Sequence, residues 1–471
     1  MSDSQLFDAL VIGTGQAGPS LAVKLANAGQ KVAIVERGKF GGTCVNTGCI
    51  PTKTMVASAR AAHVARRAGD FGVLVDGPVR VDMKRVKERK DEVSGASNRS
   101  VEEWLRSAEN CTVLVGQAQF ISDREVRITG RDNVVIRAKQ IFVNVGGRAA
   151  IPPLDGLDKI PYLTNSSMMD VDFLPEHLVI IGGSYIGLEF AQMFRRFGSE
   201  VTVIERKPRL ISVEDEDISN TMHDILAREG IKFRLNSECI ALDRSARGIE
   251  VRSSCEEGDP ITIGSHVLIA TGRRPNTDDL GLENTSVQRD AKGYIQVDDE
   301  LRTAARNIWA LGDCNGRGAF THTSYNDYEI VAANLLDGDR RRVSDRITAY
   351  AVYVDPPLGR AGMTDTEVLN SRRPALRGMR PMTRVGRAKE KGETQGFMKI
   401  TVDRDSKQIL GAAILGIEGD EAIHCILDVM YAKAPYTTLQ RAMHIHPTVS
   451  ELIPTILGEL QPLEAATPAT A

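Results

Sequence analysis

Two stretches of the chain share one pattern of apolar and polar positions. The apolar run Phe7–Ile12 predicts a buried strand, and after it come a glycine-rich turn, a helix ending at Gly29 and a strand from Val32 to Glu36. The same order returns as the run Leu178–Ile181, a helix ending at Gly198 and a strand from Val201 to Glu205. Strands that alternate with helices are typical of an α/β fold with parallel sheets. We therefore predict two Rossmann-like domains.

Each copy carries a glycine signature directly after its first strand. An acidic residue follows the first glycine of each signature by 23 positions, where it can accept a hydrogen bond from a ribose 2′-hydroxyl. Glycines at these positions let the backbone approach a pyrophosphate, and the following helix adds partial positive charge. The sequence thus implies two bound dinucleotides. The signatures are Gly13, Gly15, Gly18 with Glu36, and Gly182, Gly183, Gly187 with Glu205, Ser184 standing at the middle position.

The second acidic residue bears on which nicotinamide dinucleotide is bound. Glu205 favours an unphosphorylated ribose, and hence NADH, because a carboxylate repels a 2′-phosphate. Arg206 and Lys207 follow it directly, and they are as compatible with a phosphate clamp as with a solvated strand end. NADH and NADPH both remain open.

Composition mainly excludes classes of protein. The chain has 471 residues, which predicts about three domains at roughly 100–200 residues each. Its net charge of −3 and its 42% hydrophobic content give no reason to expect nucleic acid as a partner. No apolar run is long enough to cross a membrane, and the first residues lack the features of a signal peptide. We expect a cytoplasmic protein without a membrane partner.

Two cysteines lie five positions apart behind the first dinucleotide signature. Cys44 and Cys49 follow Gly41-Gly42, which allows close packing against a flat ligand, and Pro51 suits the first turn of a helix. A zinc site would need two more ligands, and the next cysteine is the distant Cys111. The pair therefore predicts a redox-active disulfide.

The ordered motifs identify a family. The chain resembles class I pyridine nucleotide-disulfide oxidoreductases, the flavoprotein family of glutathione reductase, dihydrolipoamide dehydrogenase and mercuric reductase, over nearly its whole length. The resemblance implies a glutathione-reductase-like fold, FAD and NADH or NADPH as cofactors, and a homodimer. The motifs are Gly41–Lys53, Ala270–Asn276, Ile308–Asp313 and His446–Glu451.

The resemblance also implies domain boundaries. It predicts an FAD-binding domain at 1–147 and 272–345 and an NAD(P)H-binding domain at 148–271. A C-terminal α+β dimerisation domain follows at 346–459, with a flexible tail at 460–471.

By the same resemblance, Cys49 lies against the flavin ring and Cys44 is the outer thiol that meets the substrate. Lys53 pairs with Glu189, and Tyr185 gates the flavin face. His446, oriented by Glu451, is contributed by the partner subunit and moves protons. The implied FAD-binding residues are Gly13, Gly15, Gly18, Glu36, Gly42, Thr43, Lys53, Gly147, Asp313 and Thr323. Those implied for NAD(P)H are Gly182, Gly183, Tyr185, Ile186, Gly187, Glu189, Glu205, Arg206 and Gly272.

Three further stretches bear on the electron acceptor. Ile50–Thr54, Phe320–Tyr328 and Asp355–Arg360 resemble the mercuric-reductase-like branch, in particular bacterial flavoproteins implicated in reactive chlorine resistance and Cu(II) reduction. A metal ion such as Cu(II) or Hg(II), held at Cys44 and Cys49, or a small disulfide is the expected acceptor. No structural metal site is predicted, and the C-terminal cysteine pair of true mercuric reductases is missing from the sequence. Dihydrolipoamide dehydrogenase, a simple NADH oxidase and a flavin redox sensor without turnover remain alternatives.

Overall fold

The computed structural model describes residues 5–254 and 260–464. The first segment begins with the predicted strand-helix-strand unit, continues with three helices, of which the first two carry the cysteine motif, and ends in three strands. Its elements are β1 (Gln5–Ile12), α1 (Gly18–Asn27), β2 (Val32–Glu36), α2 (Gly42–Asn46), α3 (Cys49–Arg66), α4 (Met83–Ser107), β3 (Cys111–Ser122), β4 (Glu125–Gly130) and β5 (Val134–Val143).

These strands form a parallel sheet that carries an antiparallel extension. β1 lies between β2 and β5 and is parallel to both, and β2 is parallel to the first half of β3. The second half of β3 pairs with β4, and β4 pairs with β5, in the antiparallel sense. Val11, at the centre, is fully buried and lies opposite Ile34 and Phe142. Both faces of β1 are covered, which explains its continuous apolar run.

The second segment repeats the unit with a smaller sheet. The parallel strands take the order β13-β7-β8-β9, and β10, β11 and β12 form a separate antiparallel sheet. The elements are β6 (Gly147–Ala149), β7 (His177–Ile181), α5 (Tyr185–Phe197), β8 (Glu200–Ile204), α6 (Glu216–Arg228), β9 (Lys232–Arg234), β10 (Glu238–Ser245), β11 (Gly248–Ser254), β12 (Ile261–Gly264) and β13 (His266–Ile269).

The chain then returns to the first sheet. β14 (Arg273–Pro275) pairs with β6 as a short antiparallel ribbon, and β15 (Ile308–Ala310) runs parallel to β5. α7 (Thr321–Ala332) follows and packs against α1. The first sheet is therefore assembled from two separate stretches of sequence, as the family resemblance implies.

The last segment forms an antiparallel sheet in the order β16-β17-β20-β19-β18-β21. Its helices and strands alternate irregularly, as in an α+β domain. The elements are β16 (Ala349–Val352), β17 (Leu358–Gly362), α8 (Asp365–Asn370), β18 (Ala375–Pro381), α9 (Gly386–Glu390), β19 (Phe397–Asp403), β20 (Ile409–Leu415), α10 (Gly419–Ala422), α11 (His424–Tyr431), α12 (Thr437–Gln440), α13 (Ile453–Gly458) and β21 (Gln461–Pro462).

The start of the predicted flexible tail needs correction. Gln461 and Pro462 pair with Arg377 and Leu376 at the edge of the sheet, and the Leu463 amide donates to the Ala375 carbonyl over 3.0 Å. These backbone hydrogen bonds give the segment a fixed place that its composition does not reveal. Residues 465–471 of the predicted tail lie outside the described part of the chain.

The predicted fold class is confirmed, whereas the exact domain boundaries stay predictions. Within residues 5–254 and 260–464, no helix is both long enough and apolar enough to cross a membrane.

Candidate active site

The two glycine turns have nearly identical geometry. Gly13 and Gly182 have φ angles of +100° and +119°, and a Cβ atom on either would lie 2.3–2.4 Å from the carbonyl oxygen of the residue that directly follows the neighbouring strand, β5 or β13. A Cβ on Gly18 or Gly187 would lie 2.1–2.2 Å from the carbonyl oxygen of the first glycine. Only glycine fits such positions without backbone movement. The internal repeat is therefore a repeat of structure as well as of sequence.

The acidic residue after each turn is held by backbone amides. Glu36 accepts from the Thr14 amide over 2.9 Å and from the Gly38 amide over 2.8 Å. Glu205 accepts from the Gly183 amide over 2.6 Å and from the Lys207 amide over 2.9 Å. In both copies the carboxylate is thus fixed beside the glycine turn, where the sequence places the ribose.

A cavity of about 480 Å³ connects the first glycine turn to the cysteine pair. Gly42 borders it, with φ of +62°, and a Cβ there would lie 2.8 Å from the Gly15 Cα. The cysteine segment therefore passes directly against the glycine turn. The sequence-predicted residues that line this cavity are Gly13, Gly15, Glu36, Gly42, Thr43, Cys44, Cys49, Lys53, Tyr185, Ile186, Glu189 and Asp313.

The two cysteines are half-buried free thiols, Cys44 on α2 and Cys49 at the start of α3. Cys49 is the first residue of the helix, and its Sγ lies 3.0 Å from the Thr321 Oγ1. Hydrogen bonding from the Cys44 thiol lowers the pKa of Cys49 to about 6, with further lowering by the Thr321 hydroxyl and the Lys53 ammonium. The same interaction, together with burial, raises the pKa of Cys44. The pair is therefore polarised, with Cys49 as the thiolate and Cys44 as the thiol.

A buried carboxylate holds the lysine of α3. Lys53 Nζ donates to Glu189 Oε2 over 2.7 Å, the predicted contact, and lies 4.6 Å from the centre of the Tyr353 ring. Glu189 Oε1 accepts from the Tyr353 amide over 3.0 Å. The Glu189 side chain is only 4% exposed, whereas that of Lys53 is 33% exposed. The ammonium is thus fixed one helical turn from Cys49.

Aromatic rings form another wall of the cavity. The Tyr185 ring lies 5.7 Å from that of Phe320, and Phe320 stacks on His322. His322 Nε2 lies 2.7 Å from the Ala349 carbonyl oxygen, to which it donates, and burial lowers the pKa of the imidazole. Burial also raises the pKa of the Asp313 carboxyl, although the Arg273 guanidinium 3.5 Å away opposes this.

The C-terminal histidine and glutamate are paired but do not line this cavity. His446 Nδ1 lies 2.8 Å from Glu451 Oε2, and the His446 side chain is 79% exposed while that of Glu451 is 13% exposed. The carboxylate can therefore orient an imidazole that projects from the surface of its own chain.

Several predicted binding residues also stand outside the cavity. Gly18 and Gly147 are buried beneath neighbouring backbone, and Thr323 Oγ1 instead accepts from the Phe320 amide at the start of α7. The Thr323 hydroxyl is thus engaged by the backbone at the start of α7, and the predicted part of Thr323 in FAD binding stays a prediction. The second glycine turn and its neighbours likewise do not line it: Gly182, Gly183, Gly187, Glu205, Arg206 and Gly272.

The structure adds residues that the sequence did not single out. Asn144 is buried, accepts from the Gly18 amide over 3.0 Å and donates to the Leu311 carbonyl over 3.0 Å, so it joins the glycine turn to the residue that follows β15. Thr321 contacts Cys49, and Tyr353 contacts Glu189 and Lys53, each from another segment of the chain. Their contacts are long-range, and position was the one signal for them: Thr321 lies within the quoted stretch Phe320–Tyr328, and Tyr353 lies two residues before Asp355–Arg360.

The fold and the site define a class: a protein with two dinucleotide-binding units and a thiol pair beside the first of them. Residues 7–327 match the family "pyridine nucleotide-disulphide oxidoreductase", and residues 348–456 match its dimerisation domain. The chain belongs to the pyridine nucleotide-disulphide oxidoreductases. Members of this family use FAD and NAD(P)H, and the dimerisation domain supports a homodimer.

The relatives have different activities. The chain is 36% identical over 450 residues to the probable pyridine nucleotide-disulfide oxidoreductase RclA of Escherichia coli, covering 94% of this chain and 97% of that protein. It is 32% identical to a dihydrolipoyl dehydrogenase of Chlamydia muridarum (95% and 96% covered) and 32% identical to a mercuric reductase of Streptomyces lividans (95% and 94% covered). A solved Cu(II) complex of the HOCl-induced flavoprotein disulfide reductase RclA from Escherichia coli superposes with a TM-score of 0.87 at 34% identity, covering 97% of this chain and 99% of that one.

Proposed function

We propose that this protein is an NAD(P)H-dependent reductase that passes electrons to Cys44 and Cys49 and from them to a metal ion, with Cu(II) as the first candidate. The observation that carries the proposal is the position of the thiol pair: both sulfurs border one cavity together with Lys53, Glu189 and Tyr185.

The residues of the cavity fit FAD. Glu36 is fixed by amides where a ribose would bind, and Gly13, Gly15 and Gly42 add no side chains to the wall between Glu36 and the cysteines. Glu36 and the glycines would hold the adenosine and pyrophosphate, and Asp313 and Lys53 would face the rest of the cofactor. FAD supplies, when bound, an acceptor for the hydride of NAD(P)H and a donor of two electrons to a disulfide.

The protein residues divide the thiol chemistry between them. A thiolate is the reactive form of cysteine, and the low pKa of Cys49 keeps that sulfur ionised near neutral pH. Lys53 stabilises this charge, while Glu189 fixes the position of the ammonium. Cys44 keeps its proton, so this sulfur needs a base before it can react with an acceptor.

The partner subunit's His446 is our candidate for that base. In this chain His446 projects outward on its Glu451 support, and a neutral imidazole can take a proton near pH 7. A dimer would bring it to the thiols of the other subunit. The active site would then be complete only in the homodimer.

The proposed turnover balances as two half-reactions. Two thiols and two Cu(II) ions give one disulfide, two Cu(I) ions and two protons. One NADH, one proton and the disulfide then give NAD⁺ and two thiols. Soft sulfur ligands favour Cu(I), which suits the first half-reaction, and the solved Cu(II) complex of the similar RclA protein supports the choice of ion.

An acceptor panel tests the proposal. The FAD-loaded protein and its Cys44→Ser variant are supplied anaerobically with NADH and with Cu(II), Hg(II), lipoamide or glutathione disulfide. Loss of NADH is measured in each reaction, and formation of Cu(I) is measured with a Cu(I)-specific chelator. We expect Cu(II) to be reduced by the unaltered protein and not by the variant. Preferential turnover of lipoamide would instead establish a dihydrolipoamide dehydrogenase, and equal Cu(II) reduction by both proteins would refute the thiol route.

A further inference from the structure

One aromatic contact links the dithiol to a buried ion pair in another part of the chain. Tyr350, on β16, stacks its ring on Phe320 with centroids 5.5 Å apart and planes inclined by 10°. Its hydroxyl donates to Glu214 Oε1 over 2.6 Å. The ring therefore has an apolar contact on the cavity side and a fixed anchor on the other.

The anchor itself is rigid. Glu214 accepts from the guanidinium of Arg360, and their side chains are 0% and 2% exposed. Glu214 precedes α6, whereas Arg360 lies on β17, so the pair joins the second dinucleotide-binding unit to the C-terminal sheet. A buried charge pair has few alternative arrangements, because moving one partner leaves the other charge unpaired.

Phe320, on which Tyr350 stacks, is the sequence neighbour of a residue that contacts Cys49. Phe320 immediately precedes α7, and the first residue of that helix, Thr321, contacts Cys49 Sγ at 3.0 Å. β16 also accepts the His322 hydrogen bond through Ala349, so the start of α7 is held at two points. A shift of Phe320 would carry Thr321 with it.

We propose that Tyr350 is a positioning residue of the dithiol site: anchored by Glu214, it fixes Phe320 and so keeps Thr321 in contact with Cys49. The inference rests on the proposed role of the thiol pair. It assigns to the C-terminal domain a function within its own chain, in addition to dimer formation.

A double-mutant cycle tests this role through the titration of Cys49. In a Cys44→Ser background, where one thiol of the pair remains, the FAD-loaded protein is alkylated with iodoacetamide from acid to alkaline pH, and modification of Cys49 is followed by peptide mass. The variants are Tyr350→Phe, Thr321→Val and the two combined. Tyr325→Phe, a change of the same chemistry on the exposed face of α7, is the matched control.

We expect Thr321→Val to raise the Cys49 pKa by about one unit, since it removes a hydrogen bond to the thiolate. Tyr350→Phe should raise the Cys49 pKa by roughly half a unit, which means about a threefold loss of thiolate at pH values below the pKa. In the combined variant, Tyr350→Phe should cause no shift beyond that of Thr321→Val. Additive shifts, or a shift in Tyr350→Phe no larger than in Tyr325→Phe, would overturn the proposal. Because no acceptor is present, failure of the proposed metal reduction would leave this titration unchanged.

Discussion

Replacing Lys53 by Met should raise the pKa of Cys49, since the substitution removes the positive charge closest along α3. Residues four apart on a helix have Cβ atoms about 5–6 Å apart. Unit charges at about 6 Å interact by about 0.7 kcal/mol in water and by about 3 kcal/mol at an effective dielectric constant of about 20.

The lower half of this range of interaction energies applies to Lys53 and Cys49. Lys53 is one-third exposed and is already paired with Glu189, so solvent and the carboxylate both screen its field. We therefore expect an effect of about 1.4 kcal/mol, which corresponds to a rise of about one unit in the pKa of Cys49. Glu189→Gln should act in the opposite direction, because it removes a negative charge while leaving the ammonium.

The assay is the pH dependence of Cys49 alkylation in the Cys44→Ser background. The rate should follow the thiolate fraction, so the Lys53→Met profile should move to higher pH and the Glu189→Gln profile should not. Lys84→Met, on the exposed surface of α4, is the matched control and should leave the profile in place. An unchanged or lowered pKa in Lys53→Met would refute the electrostatic account of the thiolate.

Three other outcomes follow from the structure. Homodimers of His446→Ala and of Cys44→Ser should both fail to reduce the acceptor. A co-expressed heterodimer with one subunit of each variant should recover activity, because one of its sites then combines an intact Cys44 with the partner subunit's His446. No recovery would contradict a shared site. Glu205→Gln should lower the ratio of kcat/KM for NADH to kcat/KM for NADPH by about tenfold. An unchanged ratio would show that Glu205 does not select between the two dinucleotides. Lys399→Met should destabilise the protein to urea by about 3 kcal/mol, because it removes the buried ammonium that pairs with Asp215 and Asp365 and leaves Arg360 and Arg377 as their cationic partners. Lys407→Met, at an exposed position, should have little effect. Burial opposes ionisation of Asp215, yet Lys399 outweighs it and lowers the pKa of Asp215, so the stability that this pair gives should be present above about pH 4 and be lost as the pH falls.

Much of the fold could be predicted because its signals are local. The β2 strand has the predicted bounds, and α1 and α5 end just before Gly29 and Gly198, where glycine ends a helix readily. The Lys53–Glu189 contact was accessible only through the family resemblance, because 136 residues separate the two positions.

The contacts that shape the site were much harder to predict. Thr321 reaches Cys49 from 272 positions away, and Tyr353 reaches Glu189 across 164. A single sequence holds no record of such pairings, since neither residue type demands a partner of that kind. Thr323 shows another limit of the motif: its place there suggested a ligand contact, whereas the structure shows its hydroxyl bonded to the backbone at the helix start, and its part in FAD binding stays a prediction.

The most direct test of whether electrons reach the metal through the thiol pair is anaerobic reduction of Cu(II) by NADH, with the unaltered protein and with Cys44→Ser. The redox state of the bound flavin is monitored in the same sample. We expect NADH to reduce the flavin in both proteins and Cu(I) to form only where both cysteines are present. Formation of Cu(I) at the same rate in the variant would show that the thiol pair is not the route to the metal.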